Sequence, residues 1–299
     1  MTIAQGKSRN AYFRLGKAPA KRDARNLQLR ALLKKAVRLP LEYDFDLKHP
    51  AVPTPMFGND QWGCCVISGR AHQTLRFELV EQKKVLPITT KEVVDEYLAQ
   101  SGGEDSGLIM LDSLRLWRKQ GWLAAKKRYN IRAFSEVNRS RLPEVKTAIF
   151  LNLGVGIGLR LPKSAERELM AGKPWTTTTG SGATPNSWGG HYVYVSGYTR
   201  LGPTCVTWGA KQQMSWAFFT KYCDEAYALL DDLNTAKKRA AIDGKKLDAF
   251  LATVSKPKLI RSSATGKNSA GRSEATRKAG ARKSASKTSV SRFRVGRGG

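Results

Sequence analysis

The sequence is short of acidic residues, histidine, cysteine and long apolar runs, and each shortage narrows the reading. Among 299 residues, 24 Asp and Glu face 52 Lys and Arg, a formal net charge of +28. Such an imbalance points to an acidic partner, with nucleic acid the first candidate. Four cysteines, Cys64, Cys65, Cys205 and Cys223, form no Cys-x-x-Cys pair and no metal-ligand spacing. A zinc site is therefore not expected. No cofactor pattern appears either, so none is expected. The longest apolar stretch, residues 148–159, is broken by Asn152 and three glycines and is too short to span a bilayer. The first 25 residues hold no apolar run of the length a secretory signal needs. A reducing, cytoplasmic setting is the expectation, with no membrane partner, so a thiol here is read for reactivity rather than for stapling.

The charge is unevenly spread. Residues 1–40 carry 11 basic residues and one acid, Asp23; residues 256–299 carry 13 and one, Glu274. The 215 residues between them are only mildly basic, at +6. Three parts follow: a basic arm (1–40), a globular body (41–255) and a basic tail (256–299). Lys, Arg, Ser, Ala, Gly and Thr dominate the tail, so it cannot bury enough apolar area to offset ordering entropy and is expected to be disordered. Residues 1–40 and 256–299 suit non-specific nucleic-acid binding by counterion release. Phe293 is the tail's one aromatic, so base stacking is not expected. Within the arm, residues 25–37 can form a short basic helix that docks on the body, lies on a partner or faces solvent.

The body reads as helices followed by strands, an α+β pattern. Residues 39–57 are proline-rich and extended. Apolar spacing predicts a buried helix over 65–80, another over 92–100 with Thr90 as N-cap, and further helices over 110–120, 143–151 and 216–233. Strands are predicted near 155–159, over 191–198 and over 204–208. Residues 176–190 are a Gly/Ser/Thr loop.

One segment carries chemistry. In NDQWGCCVIS, residues 59–68, a cysteine opens a helix directly after a glycine turn. A helix N-terminus favours thiolate through its dipole and its free N–H groups. A thiolate nucleophile also needs a base. Of three histidines, His49 lies in the extended lead-in and His72 lies two helical turns beyond Cys65, about 10 Å away by helix rise. His191 follows Gly189-Gly190 at the start of a strand, where glycines permit close approach of another backbone.

The stretch AVPTPMFGNDQWGCCVIS resembles the entry to the catalytic helix of papain-like cysteine peptidases, with Thr54-Pro55, Asn59 and Cys65 at the family's spacing. GGHYVYVSGYT resembles that family's histidine strand and places His191. TWGAKQQMSW resembles its Asn-Ser-Trp-Gly segment through Trp208-Gly209. TTKEVVDEYL and LPEVKTAIFLNLGVGIGL resemble intervening elements, so the likeness covers about residues 41–230. Gly58-Asn59-Asp60, Gly63, Cys65 and His72 also fit a Gly-Asn-Asp-x-x-Gly-x-Cys pattern of bacterial and phage proteins.

The resemblance implies a two-lobed α+β fold, helical in its first half and antiparallel β-rich in its second. It implies that Cys65 is the nucleophile and His191 its base. Asn59 and the Cys65 backbone N–H then hold the oxyanion, and a peptide or protein is the substrate. Cys64 competes with Cys65 for the nucleophile's role. Trp62, Trp188 and Trp208 either line the cleft or pack in the core. Asn59 stands for the family's Gln, one methylene shorter, with Gln61 an alternative donor. Thr207 stands where the family has the Asn that orients the histidine, with Asn186 an alternative. Trp62 replaces a half-cystine, and residues 1–40 lack the family's helical inhibitory pro-segment signature. Two readings stay open: an active thiol hydrolase, most simply a peptidase, or a catalytically inactive domain serving a nucleic-acid-associated structure such as a virion.

Overall fold

A computed structural model describes residues 13–255 except 35, 232 and 234. The expected disordered tail, 256–299, lies outside the described residues. The first half holds α1 (Leu29–Leu32), β1 (Tyr43–Asp44), α2 (Phe45–Lys48), α3 (Cys65–Gln82), α4 (Thr90–Ser101) and α5 (Met110–Gln120). A hairpin follows, β2 (Trp122–Ala124) with β3 (Lys127–Tyr129), then β4 (Ala133–Glu136) and α6 (Leu142–Phe150). The second half holds β5 (Gly156–Leu161), α7 (Lys163–Met170), β6 (Gly189–Tyr198), β7 (Pro203–Thr207) and β8 (Ala210–Gln213). It ends with α8 (Trp216–Tyr222), β9 (Cys223–Leu230), α9 (Ala236–Ala241) and α10 (Gly244–Ser255). The expected α+β class, helices first and an antiparallel sheet after, is what forms.

Helix α3 is the central element, buried from Cys65 to Glu78. Its buried arginines are paired in place, as burial of charge requires. Arg76 donates to both carboxylate oxygens of Asp46, at 2.9 and 2.8 Å. Arg70 donates to Glu96 Oε1 at 2.9 Å. The helix presses on β6 through Tyr192, whose ring occupies the space a Cβ would need at Gly69 on α3 and at Gly156 on β5, each 2.1 Å from it. Tyr192 Oη also donates to Gln73 Oε1 at 3.0 Å. One aromatic side chain thus sets the start of α3 against the strand that begins with the site histidine.

The sheet runs β4-β9-β5-β6-β7-β8, with β1 added to β6, and its pairings are antiparallel. Leu159 of β5 lies opposite both His191 of β6 and Cys223 of β9. The β7–β8 turn carries Trp208 and Gly209 at φ 42° and 72°. Trp208 thereby accepts a left-handed backbone that a bulky residue ordinarily avoids.

Some local expectations shift. Thr89, not Thr90, caps α4, in a capping box with Glu92. The helix expected over 216–233 stops at Tyr222, and Cys223 opens a strand instead. The run CDEAYALL lies between β4 and β5, so it pairs on both edges, and this pairing overrides the helical preference of its Ala and Leu residues. Among the described residues of the stretch 25–37, Leu29–Leu32 are helical and the rest are not. Leu29 and Leu32 are buried, and Leu32 O accepts from Asp243 N, so this stretch packs on the body.

Candidate active site

Cys65 is the first residue of α3 and Cys64 its N-cap. The turn before them is held from outside. Asp105 Oδ1 accepts the Gly63 N–H at 2.8 Å and the Tyr97 hydroxyl at 2.6 Å. The two thiols face different groups. Cys64 Sγ lies 3.3 Å from Ser68 Oγ and 3.5 Å from Phe57 O. Cys65 Sγ accepts the N–H of Tyr192, the residue after His191, at 3.4 Å. The geometry therefore brings Cys65, not Cys64, to the histidine strand.

His191 Nε2 lies 2.7 Å from Thr207 Oγ1 across β6 and β7. Its Nδ1 is buried with no hydrogen-bond partner. The imidazole stacks on the Trp208 indole, and Trp208 in turn packs on Trp188. Thr54 Oγ1 donates to Gly209 O at 3.4 Å, tying the lead-in before α3 to the turn after β7. Asn59 is buried, and its Nδ2 donates to Trp62 O at 3.0 Å and to Arg14 O at 3.2 Å. Gln61 is exposed. Asn186 donates its backbone N–H to Arg160 O. His72 packs on the Phe57 ring within the core.

Sequence reasoning missed what lies over these residues. Residues 13–18 run through the cleft as an extended strap and bond to both sides of it. On the helical side, Arg14 N donates to Asn59 O, Leu108 N to Gly16 O, and Ala18 N to Leu108 O, at 3.1, 2.8 and 2.9 Å. On the sheet side, Lys17 N donates to Gly190 O at 3.1 Å and Trp208 Nε1 to Arg14 O at 3.2 Å. Gly16 is pressed on the turn before Cys65, where a Cβ would fall 1.7 Å from Gly63 O. No pattern in residues 13–18 announces this, because the strap is held by backbone groups that every sequence carries. Asp105 could have been suspected only from its place in the loop GGEDSG.

The cover sets the electrostatics. Burial pushes the Cys65 thiol up to about 11, while the N–H groups of Tyr192 and Gly16 and the charge of Lys17 pull the other way. Burial lowers His191 to about 3. Both effects disfavour the charged form, so the pair is neutral under the strap. Burial likewise raises Cys64, to about 12, and raises Cys205 and Cys223.

No protein-family model and no curated protein matches the sequence. The solved structures similar to the fold include these two. One is xylellain, a cysteine protease from Xylella fastidiosa, at TM-score 0.58 and 16% identity, covering 77% of this chain and 100% of that one. The other is procathepsin B S9 from Trypanosoma congolense, at TM-score 0.54 and 14% identity, covering 77% and 92%. The fold is that of papain-like cysteine proteases.

Proposed function

We propose that the chain is a cysteine peptidase, held in a covered state by its own residues 13–18. The observation that carries this reading is the orientation of His191. Thr207 occupies Nε2, and the free Nδ1 belongs to a ring whose neighbouring residue, Tyr192, contacts Cys65 Sγ. With the strap displaced, Cys65 Sγ attacks the carbonyl carbon of a peptide bond and its proton passes to His191 Nδ1. The C=O becomes an oxyanion, held by Asn59 Nδ2–H, released from Arg14 O, and by the Cys65 backbone N–H. His191 returns the proton to the leaving amine as the C–N bond breaks, leaving a thioester. Water then loses a proton to His191 and attacks the thioester, freeing the acid and restoring the thiol. Thr207 Oγ1 accepts the Nε2–H and keeps the ring in one tautomer.

The pattern Gly58-Asn59-Asp60 through Cys65 supports grouping the chain with bacterial and phage-type variants. The basic segments 1–40 and 256–299 support non-specific binding to nucleic acid, which would localise the enzyme there. Among the described residues no helix is long and apolar enough to cross a membrane. A second reading, an inactive domain in a nucleic-acid-associated structure, is favoured by Thr207, a smaller neutral group than the family's amide. Iodoacetamide separates the two. In the active reading, Cys65 reacts faster than Cys223 once Gly16→Val loosens the strap, and Cys65→Ser abolishes that phase together with peptide cleavage. Equal rates at Cys65 and Cys223 would leave the inactive reading standing.

A further inference from the structure

The strap's side chains show what the cleft accepts. Lys17 is buried, its side chain only 1% exposed, which is an unusual place for an ammonium. Its Nζ lies 3.0 Å from Asp224 Oδ2 and 3.1 Å from Glu225 Oε1, and it donates to Ala18 O at 3.2 Å. Both acids stand on β9, beside β5, where Gly158 is opposite Glu225 on one side and Tyr192 on the other. A Cβ at Gly158 would be 2.1 Å from Lys17 Cε, and a Cβ at Gly190 would be 2.1 Å from Lys17 O. Two glycines therefore keep a slot open that leads from the residue before His191 down to a carboxylate pair.

The pair has capacity beyond what Lys17 uses. Asp224 Oδ1 and both Glu225 carboxylate oxygens are buried without hydrogen-bond partners, Oε1 having only its ion pair with Lys17. Burial beside Asp224 and Glu136 raises the Glu225 carboxyl to about 7, against the opposing pull of Lys17. Three acceptors without a donor beside the one that Lys17 fills suit a guanidinium, whose fork presents more donors than an ammonium. A cavity of 240 Å³ is lined by Asp224 and Glu225 but not by Lys17, which reaches the two acids through the slot instead. Arg22 and Arg139 also line that cavity. Among the described residues neither makes an ion pair with the two acids; Lys17 makes both. The countercharge is thus supplied from the cleft.

We propose that Asp224 and Glu225 floor a specificity pocket for a basic side chain of the substrate, arginine above lysine, and that Lys17 holds this pocket in the covered state. The proposal rests on the peptidase reading for its setting. Its test does not need turnover. The full chain carrying Cys65→Ser and Lys17→Ala, with Gly16→Val to loosen the backbone-held strap, is titrated with fluorescent peptides from a positional library, followed by anisotropy. One position should prefer arginine over its neutral isostere citrulline by about tenfold or more, as loss of one partner of a buried charge pair requires. Adding Glu225→Gln or Asp224→Asn should reduce that preference severalfold while leaving peptides with no basic residue bound as before. Where these variants do not fold, the arginine-to-citrulline comparison stands on the peptide alone. Equal binding of the two peptides at every position overturns the proposal, as does a preference that survives both acid substitutions. Failure of peptide cleavage in the Cys65 chain, with the arginine preference intact, would sink the peptidase reading and leave the pocket.

Discussion

The imidazole of His191 lies flat on the indole of Trp208, with ring centroids 3.9 Å apart and planes 10° from parallel. The same indole donates its N–H to Arg14 O. Trp208 therefore serves two states, holding the base in place and holding the strap over it. Trp208→Ala should cost about 3–5 kcal/mol of stability, as large buried truncations do. It should also raise the His191 pKa from its depressed value, because water gains access to the ring. Trp208→Phe should keep the stacking, lose the bond to Arg14 and expose Cys65 more readily. Imidazole proton shifts against pH report the first effect, and iodoacetamide rates report the second.

The stability that neutral His191 contributes should be lost as the solution is acidified from about pH 6.5 toward 3. His191 in the unfolded chain takes up a proton near 6.5, while in the folded chain it does so only near 3. At His191 the unfolded state therefore binds more protons across this window and its contribution to stability rises with pH, whereas Glu225, held up at about 7 when folded, contributes in the opposite sense between about 4.5 and 7. One such group gives a slope of about 1.4 kcal/mol per pH unit at most. At the alkaline end the sign reverses. Cys65 ionises near 9 when unfolded and near 11 when folded, so stability should decline as pH rises through that interval. Urea midpoints measured across pH, with His191→Gln flattening the acid limb and Cys65→Ala the alkaline one, check both signs.

Gly16→Val should uncover the site. The added carbon has no room against Gly63 O, and overpacking of this kind costs about 1–3 kcal/mol. Spent on displacing the strap, that raises the open fraction about 5- to 150-fold. Alkylation of Cys65 at neutral pH should quicken accordingly, with the urea midpoint of the body little changed. An unaltered alkylation rate would show that residues 13–18 do not gate access to the thiol.

Thr207→Val should leave His191 Nε2 buried without an acceptor. The penalty for such a group is about 1–3 kcal/mol, and kcat for peptide cleavage should fall about 5- to 150-fold with KM nearly constant. Thr207→Asn restores a stronger acceptor at the same place and should match or exceed the parent kcat. A KM effect without a kcat effect would assign Thr207 to binding.

Asp105→Ala should disturb Cys65 from a distance. It removes the acceptor for the Gly63 N–H and the Tyr97 hydroxyl, both next to or beneath the Cys64-Cys65 turn. Stability should drop by about 1–3 kcal/mol, and Asp105→Asn, which keeps one oxygen, should recover much of it. Denaturation midpoints paired with Cys65 alkylation rates distinguish a loosened turn from a general loss of packing.

The helix from Cys65, the strand from His191 and the pairing of His191 with Thr207 were legible because each rests on local pattern and on order along the chain. Helix Met110–Gln120 was legible to the residue, since Gly121 ends it. What escaped was set by distant contact. β9 reads as helix in isolation and becomes a strand because β4 and β5 flank it. Asp105 matters only because a loop folds back on Gly63, 42 positions away in sequence. Lys17 looked like one charge among the 11 basic residues of an arm, yet it is the one seated on Asp224 and Glu225.

The strap has a bearing on the order in which the protein is made. Residues 13–18 leave the ribosome before Cys65, and His191, Thr207 and the acids of β9 leave far later. Chains fold as they emerge, earlier segments first. By the time translation supplies the strand that carries His191, the segment that covers it has long been present. The thiol and its base need never meet in the open while the chain is young, and exposure becomes a later event in the protein's life that something else must trigger.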